Sequence, residues 1–191
     1  MRGFIVTLAF LPALVCCGPL SPSASLPYDA AMGAADPTRA AIFSSAYAFN
    51  NPGGLGNPAI AARAAANVEF LAVTLPHDVR YASSPTVNQH MAAARLEMHG
   101  ALGIAEGASP QLVVNGLYAA ARALGAGDTV AAENALLPAV FTNGGETLRR
   151  LAAMGPWPRT AEATAMAERE HLRIEQERVN SQSGGDSSGW N

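Results

Sequence analysis

Apolar residues recur at helical spacing along most of the chain, and a capping residue followed by proline precedes four of these stretches. The four pairs are Asp36-Pro37, Asn57-Pro58, Ser84-Pro85 and Ser109-Pro110. A side-chain oxygen at the N-cap accepts a hydrogen bond from a free backbone amide, and proline at the first helical position lacks only an amide that has no partner there. The pattern therefore predicts helices over residues 37–50, 58–75, 85–104 and 110–125.

Apolar side chains form a stripe along each of these four predicted helices. The clearest stripe, on the third helix, consists of Val87, Met91, Ala94, Met98 and Leu102. Positions three and four residues apart lie on one face of an α-helix, so we expect this face to be buried against the other helices. Gly103 and Gly125 follow the stripes of the third and fourth helices and predict where these helices end.

Two shorter helices are predicted in the following stretch. Asp128 can cap a helix over residues 129–141, which Pro138 is expected to end or kink because proline cannot continue the backbone hydrogen bonding. A glycine-containing turn at residues 143–145 then leads into a helix over residues 145–154, and Trp157 is expected to pack back onto the domain.

The last predicted helix differs from the others in composition. Thr160 can cap a helix over residues 161–179, in which charged residues crowd between Glu168 and Arg178. Its apolar stripe is thin and consists of Ala165, Leu172 and Val179. A helix with so few apolar positions is expected either to lie across the surface of the domain or to project from it.

These patterns predict an all-α protein, a compact bundle of about six helices plus a charged C-terminal helix. The expected division of the chain is a signal peptide at 1–17, a flexible tether at 18–35, a helical domain at 36–158, the charged C-terminal helix at 159–180 and a disordered tail at 181–191. If this division is right, deletion of residues 160–191 leaves the bundle folded.

Composition narrows the classes of function. The formal net charge is -3, which provides no strong field to attract nucleic acid, so no nucleic-acid partner is expected. Every basic residue is arginine, which excludes chemistry through a Schiff-base lysine. Cys16 and Cys17 are the two cysteines. The chain after residue 17 therefore has no thiol, which excludes thiol catalysis and cysteine-ligated metals in that part.

The N-terminus has the organisation of a secretion signal. Arg2 precedes an apolar run over residues 4–15, a length that suits a signal peptide and falls short of the roughly 20 residues that span a bilayer. The run ends at Leu14-Val15-Cys16-Cys17-Gly18. This motif resembles the lipobox of bacterial lipoproteins, with Leu14 at the branched position three residues before the acceptor Cys17. Cys16 stands where a small residue is usual.

The resemblance to lipoprotein precursors covers only these residues and implies a membrane anchor. Cys17 would carry a thioether-linked diacylglycerol and become the new N-terminus. Gly18 is not the aspartate that commonly retains such proteins at the inner membrane, so the resemblance implies an outer-membrane protein that faces the periplasm. The alternative is an ordinary cleaved signal that yields a soluble periplasmic or secreted protein.

The densest group of polar side chains lies between residues 76 and 99. Its candidate ligand-binding residues are His77, Asp78, His90 and Glu97. His90 and Glu97 are seven residues apart, hence on one face of the third helix and about 10.5 Å apart along its axis. Because that distance is too long for a shared metal ion, no metal site is predicted, and no cofactor or catalytic residue is assigned. The alternative is that these side chains form surface or interhelical hydrogen bonds.

The sequence thus indicates where the protein is located more clearly than which reaction or ligand it serves. The leading hypothesis is a lipid-anchored envelope module without enzymatic activity, which binds an envelope protein through residues 160–180. The second is a periplasmic hydrolase or small-ligand-binding protein that uses His77, Asp78, His90 and Glu97. Convergence of those four side chains in one cleft would favour the second hypothesis.

Overall fold

The computed structural model describes residues 23–31 and 36–184, and this part of the chain contains seven α-helices and no β-strand. The helices are α1 (Pro37–Asn50), α2 (Pro58–Thr74), α3 (Pro85–Leu102), α4 (Pro110–Gly125), α5 (Thr129–Ala135), α6 (Gly144–Ala152) and α7 (Pro158–Gly184). Short 3-10 turns occupy Tyr28–Ala31 and Leu75–His77. The predicted all-α bundle is confirmed. The signal, Cys17 and most of the C-terminal tail lie outside the described residues.

The four cap-and-proline pairs all mark the start of a helix. Asp36 accepts a hydrogen bond from the Arg39 amide, and Asn57 accepts one from the Ala59 amide at 2.8 Å. Ser84 and Ser109 make no side-chain cap bond. The positions of these starts were therefore predicted correctly, but proline at the first helical position, not a serine cap, distinguishes α3 and α4.

Helix α2 occupies the centre of the bundle, where it packs against α1, α3, α4 and α6. Its side chains from Ala61 to Val73 are buried except that of Arg63. Among the described residues, the stretch Pro58–His77 is the one helical segment apolar and long enough to cross a membrane by length and composition alone. However, 72% of its most apolar window is buried inside the protein, as expected for the core helix of a bundle.

The helix predicted over residues 129–141 is shorter than expected. Helix α5 ends at Ala135, and residues 137–141 turn so that Phe141 is fully buried. Pro138 supplies the reason, because proline disfavours a helical conformation at the residue before it and lacks a backbone amide of its own. The predicted kink or end at Pro138 is thus an end, and it occurs within one turn before the proline.

Helix α7 is part of the core rather than an appendage. It packs against α1 and α3, and its first half contributes the buried side chains Thr160, Ala163, Thr164, Ala167 and His171. The helix begins at Pro158, so Thr160 lies inside its first turn and is not its cap. Because these buried residues close one side of the bundle, we expect deletion of residues 160–191 to open the core, in contrast to the outcome predicted from the sequence.

Residues 23–31 lie along α4 and differ from the expected flexible tether. The Ser25 amide donates to Gln111 Oε1 at 2.8 Å, and Gln111 Nε2 donates to the Ser25 carbonyl at 3.0 Å. Asp29 lies 3.3 Å from Arg122 near the other end of α4, and Leu26 is half-buried against the core. Polar contacts at both ends and an apolar contact between them therefore hold this segment against the domain.

Candidate functional site

Glu97 lies at the N-terminus of α7 and takes the place of a cap. Its Oε2 accepts hydrogen bonds from the Thr160 amide and the Thr160 hydroxyl, both at 2.8 Å. The amides of the first helical turn have no partner within the helix, and the N-terminal end of the helix carries partial positive charge. A carboxylate supplied by α3 satisfies both requirements, so Glu97 joins α3 to α7.

The other three candidate residues lie in different surroundings. His90 on α3 has its Nδ1 3.9 Å from Glu162 Oε1 of α7. His77 is exposed on the turn that follows α2, and Asp78 is paired with Arg80. His90 and Glu97 therefore share the α3–α7 interface, whereas Asp78 takes part in a separate ionic cluster.

That cluster consists of Asp36, Asp78 and Arg80. Arg80 donates to Asp78 Oδ2 at 2.7 Å and forms a second ion pair with Asp36. The hydrogen bond from Arg80 lowers the pKa of Asp78. Partial burial alone would raise the pKa of Asp36, but hydrogen bonds from Arg80 and the Arg39 amide outweigh this effect and lower it. Through these ion pairs, Arg80 joins the loop before α3 to the start of α1.

A second polar cluster, which the sequence did not indicate, lies between α2 and α3. Glu69 is fully buried, and its two carboxylate oxygens contact Arg95 Nε at 2.9 Å and His99 Nε2 at 2.7 Å. Arg95 and His99 retain partial exposure. The one available signal was a lone carboxylate within an otherwise apolar helix, since an ionised side chain in such a position needs a partner.

A buried histidine lies where α7 meets the loop before α3. His171 Nδ1 is 2.6 Å from the Tyr81 hydroxyl, and the Phe43 ring contacts the imidazole edge-on at 5.4 Å between centroids. Nε2 of His171 is buried without a hydrogen-bond partner in the protein. Burial lowers the pKa of His171 and raises the pKa of Tyr81 to about 12. The imidazole is therefore held neutral.

A cleft with a volume of about 420 Å³ lies between the N-terminus of α3 and α7. Its lining includes Ser84, Arg169, Glu170 and Arg173. The Ser84 hydroxyl donates to Glu170 at 2.5 Å, and hydrogen bonds from Arg173 and Ser84 lower the pKa of Glu170 to about 2. The cleft therefore contains both signs of charge, and Glu170 is already paired with Arg173.

The side chains of these polar clusters mainly form hydrogen bonds and ion pairs that join helices and loops. Over the described residues, no group of three or more His, Cys, Asp or Glu side chains is placed to hold a metal ion. Asp78, Glu97 and Glu69 each accept hydrogen bonds from a neighbouring element or loop, which ties their carboxylates to the fold.

Comparison with known proteins adds no assignment. No protein-family model matches the chain, and no curated protein or solved structure matches it.

Proposed function

We propose that this protein is an exported, lipid-anchored helical module that binds another protein of the cell envelope through the distal part of α7, residues 172–184. The observation that carries this proposal is that α7 continues for about three turns beyond His171, its last fully buried residue. Over residues 172–182 its side chains are exposed, apart from Glu175 and from Ile174, which is half-buried against the core.

The part of α7 beyond His171 gains little stability from its own backbone hydrogen bonds. Isolated helices shorter than about 12–15 residues are marginal in water. Here ion pairs along the helix support it, between Arg173 and both Glu170 and Glu177, and between Arg178 and Glu175. Such exposed pairs contribute little stability but present a regular pattern of charge.

Two apolar side chains interrupt this charged surface. Leu172 and Val179 are each 53% exposed, and seven residues separate them, so they lie on one face about 10.5 Å apart along the helix axis. An apolar strip flanked by alternating charges fits a partner surface with a matching hydrophobic groove and a polar rim. We therefore infer a protein partner rather than a small molecule.

The lipobox resemblance at Leu14 to Cys17 supports the anchor. Each buried acyl CH₂ contributes about 0.8 kcal/mol to membrane attachment, so two or three chains on Cys17 hold the protein firmly. Gly18 supports an outer-membrane location that faces the periplasm.

Mass spectrometry of the native N-terminal peptide tests the anchor. We expect a peptide that begins at Cys17 and carries the mass of a diacylglycerol. Cys17→Ser should move the protein from the membrane to the soluble fraction, whereas the matched variant Cys16→Ser should stay membrane-bound because serine suits the position before the acceptor. An unmodified N-terminus beyond residue 17 would refute the anchor.

Cross-linking in native membranes tests the partner surface. We expect Leu172→Glu with Val179→Glu to abolish the cross-linked product without changing the melting temperature. The control variant Leu96→Glu alters a leucine that is 70% exposed on α3 and should leave the product intact. A product that persists in the double variant, with the fold preserved, would contradict this role of α7.

A further inference from the structure

A second apolar surface lies on α4, which packs against α2 and α5, whereas α7 packs against α1 and α3. A groove of about 230 Å³ runs between α4 and the segment that follows α5, and is here called the α4–α5 groove. Its apolar lining includes Leu112, Ala119, Leu137, Val140 and Phe141, and its two polar residues are Asn115 and Asn134. None of the described residues that line it is ionisable, which sets it apart from the charged cleft beside α7.

Two leucines stand at the rim of the α4–α5 groove. Leu112 is 48% exposed and Leu137 is 52% exposed. They flank an interior that contains the buried side chains of Val140 and Phe141. The exposed surface of the groove is mainly apolar and carries no charge, which favours a hydrocarbon environment over a polar protein rim.

The N-terminal segment reaches the bundle beside this groove. Gln111, whose side chain binds Ser25 at three atoms, is the residue before Leu112. Gln111 Nε2 also donates to Asn115 Oδ1 at 2.9 Å, and Asn115 lines the groove. The point where the chain coming from Cys17 meets the domain is therefore one hydrogen bond away from the groove edge.

The length of the connection limits how far the groove can be from the membrane. Ser25 is eight residues from Cys17, and eight fully extended residues span at most about 29 Å. An acylated Cys17 lies at the bilayer surface. Ser25 can thus lie no more than about 29 Å from the lipid attachment point, so the nearby α4–α5 groove stays within reach of the membrane surface.

We propose that the α4–α5 groove is the membrane-facing surface of the protein, and that Leu112 and Leu137 enter the lipid headgroup region of the bilayer to which Cys17 is anchored. This inference rests on the proposed lipid anchor. Two leucines are too few to recruit a soluble protein to a membrane, but they suffice to orient one that is already tethered.

The orientation has a consequence for α7. Helix α4 contacts α2, α2 contacts α1 and α3, and both α1 and α3 contact α7. When the α4–α5 groove faces the bilayer, we therefore expect the distal part of α7 to be separated from the lipid by the other helices. In this orientation the α4–α5 groove contacts lipid, and the distal part of α7 stays accessible to a partner protein.

Site-specific fluorescence on the lipidated full chain tests this orientation. The chain has no cysteine beyond Cys17, whose sulfur is acylated, so Leu112→Cys, Leu137→Cys and Leu172→Cys each provide one reactive thiol. Each variant is labelled with an environment-sensitive fluorophore and reconstituted into phosphatidylethanolamine–phosphatidylglycerol vesicles that contain nitroxide-labelled lipid. Leu172 is the matched control, because it is 53% exposed and Leu137 is 52% exposed.

We expect blue-shifted emission and quenching by the labelled lipid at positions 112 and 137, and neither effect at position 172. Equal quenching at all three positions would overturn the inference, as would protection at position 137 without lipid quenching, which indicates a second copy or another protein in the groove. The mass of the same preparation separates the two hypotheses. Missing acylation refutes the anchor, whereas acylated Cys17 with an unquenched position 137 refutes only the membrane-facing groove.

Discussion

The Oε2 atom of Glu69 lies 2.7 Å from Nε2 of His99, and Glu69 has no exposed surface. Arg95 contacts the second carboxylate oxygen at 2.9 Å. A carboxylate without access to water depends on its partners for the stabilisation of its charge. Arg95 and His99 keep partial contact with solvent. The loss in the free energy of unfolding therefore depends on which of these three side chains is removed.

Removal of Arg95 should be strongly destabilising. Arg95→Met leaves Glu69 buried with only one partner, and the free energy of unfolding should fall by about 3 kcal/mol, as when one partner of a buried ion pair is lost. Urea denaturation followed by circular dichroism measures the change. The control Arg63→Met alters the exposed arginine of α2 and should change stability by less than about 0.5 kcal/mol.

A double variant separates the charge from the packing. Glu69→Met combined with Arg95→Met removes both charged groups. The double variant should be more stable than Arg95→Met alone, because no uncompensated carboxylate remains in the core. If the two substitutions simply add, the buried charge of Glu69 is not what makes Arg95 necessary.

Glu97 should stabilise the start of α7 as a cap would. Glu97→Ala removes the acceptor of the Thr160 amide and hydroxyl, so the free energy of unfolding should fall by about 1–2 kcal/mol, the range for lost helix caps. Amide hydrogen exchange should quicken first in residues 159–162. The comparison is Glu106→Ala, at an exposed position in the turn after α3. Equal effects of the two substitutions would exclude a capping role.

The buried histidine predicts a loss of stability in mild acid. Burial lowers the pKa of His171 in the folded protein below its ordinary value of 6.5, and Arg39 and Arg80 lower it further, against the opposing effect of Glu175 and Asp36. The unfolded chain therefore binds a proton more readily than the folded one. Stability is fully present above pH 6.5 and should fall as the pH decreases from there towards the folded pKa.

Comparison of two histidine variants across this range isolates the effect. His171→Gln removes the titrating group, so its free energy of unfolding should decline less steeply between pH 7 and 5 than that of the unmodified protein. His77→Gln alters an exposed histidine and should leave the slope unchanged. Parallel curves for the unmodified protein and His171→Gln would show that His171 is not responsible for the acid sensitivity.

Local signals in the sequence predicted the helices better than they predicted the packing of α7. Proline at the first helical position acts on its own turn, so the four starts marked by a capping residue and proline were found, whereas the start of α7 at Pro158 was not. The face of α7 was misjudged because its large apolar residues, Leu172 and Val179, are exposed. Its buried face consists of small or polar residues instead, namely Thr160, Ala163, Thr164, Ala167 and His171. Such residues carry almost no hydrophobic signal.

The polar clusters were less accessible to sequence analysis for a related reason. Glu69 and His99 are thirty residues apart, and their pairing follows from the crossing of α2 and α3, which no spacing rule encodes. Glu97 was recognised as a notable carboxylate, but its role depends on where α7 begins. Long-range contacts, not intrinsic properties of the side chains, decide what each of these groups does.

Two glycines in helix interiors should respond to alanine with opposite signs. At Gly116, an added Cβ would lie 2.9 Å from Cε2 of the buried Phe141 and 3.2 Å from the Ala135 carbonyl oxygen. Gly116→Ala should therefore lower the free energy of unfolding by about 1–3 kcal/mol, the usual effect of overpacking. At Gly100 of α3 the added Cβ meets nothing within 4 Å. Gly100→Ala should raise stability by about 0.5–1 kcal/mol through helix propensity alone. Thermal denaturation of both variants tests the close packing of α4 on Phe141, and a stabilising Gly116→Ala would contradict it.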